Sequence, residues 1–122
     1  MNYKTIKIMN ADNNQIIGDK IKVADSFVKR FRGLMLSHEL NENEGMLIKP
    51  CNSIHMMFMR YPIDAVFLDS ENKVKAVYEN LKPWIGITKM HSDVTSVLEL
   101  KSGRANQTGI INGNILTIEE TV

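Results

Sequence analysis

Short runs in which apolar and polar positions alternate dominate the chain, and they predict strands. Ile6 and Ile8 alternate with lysines, Asp12-Asn13-Asn14 supplies turn chemistry, and Ile21 and Val23 alternate with Lys20 and Lys22. The first stretch therefore reads as a hairpin with one buried face per strand. Asp25 or Ser26 can cap a short helix in which Phe27, Phe31 and Leu34 fall at i, i+4 and i+7. That spacing predicts an apolar stripe aimed at the core, with Gly33 placed to end the helix. Residues 41–45 form a polar loop, and Met46-Leu47-Ile48 is an apolar run stopped by Pro50, as expected of a short buried strand. From residue 53 to 68 the apolar content is nearly continuous, broken at Tyr61-Pro62, which predicts two strands joined through Pro62. Asp69-Ser70-Glu71-Asn72 is a turn, and Val74, Ala76 and Tyr78 alternate with polar neighbours as the returning strand. Residues 81–90, with Pro83, Trp84 and Gly86, read as an irregular loop, a candidate rim for a pocket. Val97-Leu98-Glu99-Leu100 predicts a strand, residues 102–109 a helical turn, and Ile115-Leu116-Thr117-Ile118 a last strand after Asn112-Gly113. The pattern is mainly β (α+β): a small curved sheet or barrel-like domain with one or two short helices, residues 1–122 as a single domain.

Composition narrows the function classes. The 15 basic and 14 acidic residues are interleaved and leave a net charge of +1, so no basic face is available for a phosphate backbone and no nucleic acid is expected. One cysteine cannot form an internal bridge, and the first residues lack the apolar core of a secretory signal, so the expected location is the reducing cytoplasm. No apolar run approaches the roughly 20 residues of a membrane helix, and no membrane span is expected.

The segment from Cys51 to Asp64 concentrates the candidate chemistry. On a helix, Cys51 and His55 would be neighbours at about 6 Å; on a strand they would stand roughly 13 Å apart, too far to share a proton or an ion. A Cys/His catalytic pair also needs an orienting partner and an oxyanion hole, for which no motif is present. His38, His55 and His91 are far apart in sequence, with no zinc-type spacing, so neither a metal site nor a cofactor is expected. If residues 53–59 are extended, His55, Met57 and Met59 share one face around which a Cu(I) ion would fit, although methionine is also the common gap-filler of cores. Arg60 and Asp64 flank Tyr61-Pro62-Ile63, where a charge pair would pin a corner or hold Arg60 as a fork for a carboxylate or phosphate. Trp84 after Pro83 is either a stacking platform or a barrel-end plug.

These residues resemble the prokaryotic family known as domain of unknown function 192. Its landmarks stand here as Arg30-Phe31-Arg32-Gly33-Leu34-Met35, Gly45-Met46-Leu47-Ile48-Lys49-Pro50, Cys51-Asn52-Ser53-Ile54-His55, Phe58-Met59-Arg60-Tyr61-Pro62-Ile63-Asp64, Lys82-Pro83-Trp84, and Val97-Leu98-Glu99-Leu100 before Gly103. The chain departs from the pattern at Met56 and Met57, where relatives carry a small polar residue and an aromatic, and at Asn114, where they carry an aspartate. The resemblance implies a small, mainly β fold and a site location, and no activity. Residues and resemblance together make Cys51, His55, Arg60, Asp64 and Trp84 the candidate ligand-binding set. The expected function is a binding module holding a small polar ligand or a partner peptide beside residues 51–64. A small-substrate enzyme with His55 as general base and a soft-metal Cu(I) protein are the alternatives.

Overall fold

The computed structural model describes residues 2–120. Its strands are β1 (Lys4–Asn10), β2 (Gln15–Ala24), β3 (Glu44–Ile48), β4 (Ile63–Leu68), β5 (Val74–Leu81), β6 (Ser96–Lys101) and β7 (Leu116–Glu120), with the helices α1 (Phe27–Arg32) and α2 (Arg104–Gln107) between them. The chain is mainly β, one seven-stranded sheet in the order β5-β4-β6-β3-β2-β1-β7, curled into a half barrel. All neighbours are antiparallel except β2 and β3, which run parallel with Lys20 beside Glu44 and Ala24 beside Ile48. A parallel pair needs a crossover, and here α1 and the following loop supply it.

The curl brings the two edge strands together at one corner. Lys73 and Ile115 form an isolated bridge, and Val74 N–H donates to the Asn114 carbonyl at 2.8 Å. The central strands are buried on both faces, and their side chains alternate between two cores. Ile8, Ile21, Leu47, Val66, Leu98, Leu116 and Val74 belong to one cluster, so residues from opposite edges meet inside the curl. Met46, Ile48, Ala65, Phe67 and Val97 belong to the other, which Ile54, Met56, Met59 and Tyr61 cover. Among the described residues no helix is long and apolar enough to cross a membrane.

The expected β1/β2 and β4/β5 hairpins, the buried run at 46–48 and the last two strands all form. Two expectations need correction. Residues 53–61 are an irregular segment and make no strand. Met56 N–H donates to the Gly86 carbonyl at 2.8 Å, the Met56 carbonyl accepts from Trp84 N–H at 2.7 Å, and Phe58 adopts a φ of 64°. The backbone thus bonds to the 82–91 loop and to its own turn, and its apolar residues are buried without a period of two. The second correction concerns α1. Ser26 caps it through a bond from Lys29 N–H, and Gly33 ends it at a φ of 48°, but none of its residues is buried. Phe27 and Phe31 are 74% and 72% exposed and stack on each other, with ring centroids 6.4 Å apart. Leu34, just beyond the helix, is the member of the stripe that reaches the core.

Candidate functional site

The alternation along β6 that sends Leu98 and Leu100 into one core sends Val97 and Glu99 to the other face. Glu99 sits in the middle of the sheet, paired across to Met46 on β3 and Ala65 on β4. Above it passes the end of α1: a Cβ built on Gly33 would lie 4.0 Å from Glu99 Oε1. Between the sheet, α1 and residues 50–59 lies a cavity of about 240 Å³ with Glu99 on its floor.

Glu99 is 5% exposed and, among the described residues, has no hydrogen-bond partner. Burial pushes its carboxyl up to about 7, because a low-dielectric site penalises the charged form. Arg30, from α1, lines the same cavity. Its Nη1 donates to the Pro50 carbonyl at 3.4 Å, while its Nε is buried without a partner. An arginine N–H and a carboxylate left unpaired in one cavity are each costly for a fold to keep.

Cys51 and His55 both line this cavity. The irregular segment brings both residues to the cavity, Cys51 half-buried and His55 exposed. It is laced to the neighbouring loop by backbone bonds, Cys51 N–H to the Thr95 carbonyl at 3.0 Å and Thr88 N–H to the Ile54 carbonyl at 3.0 Å. Gly86 permits the close approach, since a Cβ there would fall 2.7 Å from Met56 Cγ and 2.8 Å from the Lys82 carbonyl oxygen. The half-buried Cys51 thiol donates to the Ser53 carbonyl at 3.2 Å and, among the described residues, bonds to no base. Burial pushes its pKa up; the backbone contact at Ser53 and the Arg30 charge oppose the rise, and the Glu99 charge adds to it. A nucleophilic cysteine requires the opposite environment.

The other three candidates lie elsewhere. Asp64 is fully buried on β4, and its carboxylate accepts from the N–H groups of Asn80 at 2.9 Å, Gly103 at 3.0 Å and Ala105 at 3.0 Å. It caps α2 and has no acceptor capacity aimed at solvent. The expected Arg60–Asp64 pair is a correction: Arg60 is exposed, and among the described residues no hydrogen bond or ion pair joins the two. Trp84 is 54% exposed and packs on Phe58 with centroids 5.0 Å apart, away from the cavity. The Cu(I) geometry also fails, because Met59 is turned inward at 3% exposure while Met57 is 50% exposed. Among the described residues no three His, Cys, Asp or Glu side chains gather to hold a metal ion.

Sequence reasoning passed over Glu99 and Arg30 as site residues. The signal for Glu99 was an acid flanked by leucines on a strand buried on both faces, a position where a charge is rarely found.

Known proteins share this architecture. A candidate transcription regulator from Sinorhizobium meliloti 1021 superposes with a TM-score of 0.83 at 22% identity, covering 96% of this chain and 95% of that one. A protein of unknown function from Novosphingobium aromaticivorans superposes with a TM-score of 0.79 at 21% identity, covering 92% and 82%. At such identities the likeness shows the fold alone. UPF0127 proteins of Thermococcus sibiricus and Thermococcus kodakarensis are each 38% identical over 82 residues, 63% of this chain but 52% and 51% of theirs. The match thus spans about half the length of these relatives. A UPF0127 protein of Pyrococcus horikoshii is 38% identical over 82 residues, covering 63% and 69%. The family pattern DUF192, described as Uncharacterized ACR, matches residues 7–118, and the chain belongs to this family.

Proposed function

We propose that this protein is a small binding module whose ligand sits in the cavity floored by Glu99 and walled by Cys51, His55 and Arg30. The observation that carries the proposal is the unpartnered Glu99 carboxylate, nine-tenths buried yet facing open space. A fold gains nothing from such a group, and apolar replacements of buried charges often stabilise. A ligand that supplies the missing hydrogen bonds gives the residue its purpose. The volume of about 240 Å³ lies just below the roughly 300–1,000 Å³ of drug-sized pockets, which suits a fragment-sized molecule or one end of a longer one. The thiol of Cys51, with its pKa raised and no base beside it, supports binding over nucleophilic catalysis. A free, half-buried thiol is also at ease in the reducing cytoplasm.

Native mass spectrometry tests the proposal after exposure of the protein to the small-molecule fraction of a cell extract. The expected result is an adduct retained by the wild type and lost from both Glu99→Leu and Arg30→Gln. Retention of no small molecule, or of the same one by all three proteins, contradicts a ligand at this cavity.

A further inference from the structure

The identity of the missing partner follows from the groups that await it, given the binding site proposed above. Arg30 Nε–H is a buried donor without an acceptor. Glu99 is a buried carboxyl without a partner among the described residues, and Arg32 adds a second guanidinium to the lining. An ammonium ligand would satisfy Glu99 but face two guanidinium groups and leave the Arg30 donor empty. A carboxylate suits both side chains: one oxygen accepts from the Arg30 guanidinium, and the other accepts from Glu99 once that carboxyl carries a proton. Apart from Cys51, Ser53 and His55 the remaining lining is apolar, with Ile48, Ile54 and Met59 inside and the stacked Phe27 and Phe31 at the rim.

We propose that the cavity captures a carboxylate carried on an apolar body and holds Glu99 protonated in the complex, the proton coming from water wherever Glu99 was ionised beforehand. Two carboxyl groups then share one hydrogen bond, and no like-charge contact is buried. The groups around Glu99 leave it as the proton acceptor. Arg30 and Arg32 on α1 stay charged. Cys51 and Tyr61, whose pKa values burial raises, stay neutral. Met46, Ile48 and Ala65 on the flanking strands carry no charge. Lys101, two residues along β6, is engaged by Glu39 at 3.5 Å. A His55→Gln variant removes the imidazole that lines the cavity and separates its effect from that of Glu99.

Benzoate is the probe, benzylamine its cationic counterpart, and affinity is measured calorimetrically at pH 6 and pH 8. If only protonated Glu99 accepts the anion, benzoate binds about tenfold more tightly at pH 6, because the competent fraction falls by that factor across its titration. The same ratio is expected in His55→Gln. Glu99→Gln, whose amide donates at any pH, is expected to bind equally at both, and Arg30→Gln to lose at least tenfold. A short peptide ending in phenylalanine, with its C-terminus free or amidated, tells the two sources of a carboxylate apart. Tighter binding of the free-ended peptide than of benzoate assigns a chain end, and the reverse assigns a small acid. Equal benzoate affinity at the two pH values in the wild type overturns the proposal, as does binding of none of the probes. Capture of benzylamine alone also overturns it, while leaving the cavity standing as a ligand site.

Discussion

Asp64 and Glu99 lie on adjacent strands one register step apart, Asp64 opposite Leu100 and Glu99 opposite Ala65, and they face opposite sides of the sheet. Both are buried acids with contrary fates. Asp64 accepts from three backbone N–H groups, and Glu99 from none among the described residues. One holds the fold together; the other is left for something the fold does not contain.

Asp64→Ala orphans the amides of Asn80, Gly103 and Ala105 and uncouples α2 from β4. A loss of about 3 kcal/mol or more is expected in urea unfolding, since each buried donor left unpaired costs about 1–3 kcal/mol. Asp64→Asn should lose less, because its carbonyl oxygen still accepts. Arg60→Ala, at an exposed residue with no hydrogen bond or ion pair among the described residues, should change stability by less than about 0.5 kcal/mol. A large Arg60 effect would restore the corner-pinning pair that the structure does not show.

The surroundings of Asn114 require its amide. Its Oδ1 accepts from Asn10 Nδ2 at 3.0 Å and Ile111 N–H at 2.9 Å, and its Nδ2 donates to Asp12 Oδ2 at 3.2 Å. Asn114→Asp sets two carboxylates against each other at the corner where β5 meets β7. The expected cost at pH 7 is about 1 kcal/mol, shrinking in acid as the pair takes up a proton. Adding Asp12→Asn should recover most of it, and a double-mutant cycle by urea unfolding measures the coupling. Additive effects would rule out the contact.

Cys51 should react slowly with iodoacetamide at pH 7, because burial holds it as the thiol. Glu99 adds to that rise, so Glu99→Gln should speed labelling at pH 8, where Glu99 is charged. Fast labelling of the wild type at pH 6 would reveal an activated thiolate and favour an enzyme.

Local patterns wrote most of the sheet into the sequence. The alternations around Ile6 to Val23 and Ala65 to Tyr78 carry their own turns at 11–14 and 69–72, so both hairpins were legible. The helix caps Ser26 and Gly33 were legible for the same reason. What a face meets was not. Phe27 and Phe31 have the spacing of a core stripe, yet the crossover lays α1 over a cavity and leaves both rings at its rim. Cys51 and His55 were found as residues, but their shared place on one cavity depends on long-range bonds to residues 84–95 that no local pattern encodes. Glu99 was hidden by the opposite effect: one acid in a leucine-rich strand is ordinary until the strand proves to be buried on both sides.

The stability of Glu99→Leu against the wild type in urea at pH 8 tests the central claim most directly. Unfolded, this carboxyl releases its proton near 4.5; folded, near 7. Its contribution to stability therefore falls as pH rises through that window, and at pH 8 the buried charge costs about 3 kcal/mol. Glu99→Leu is expected to be more stable than the wild type at pH 8, with the charge-dependent advantage shrinking as pH falls from about 7 to 4.5 and gone below that. A less stable variant at pH 8 would mean that Glu99 holds the fold together, and would contradict its assignment to a ligand.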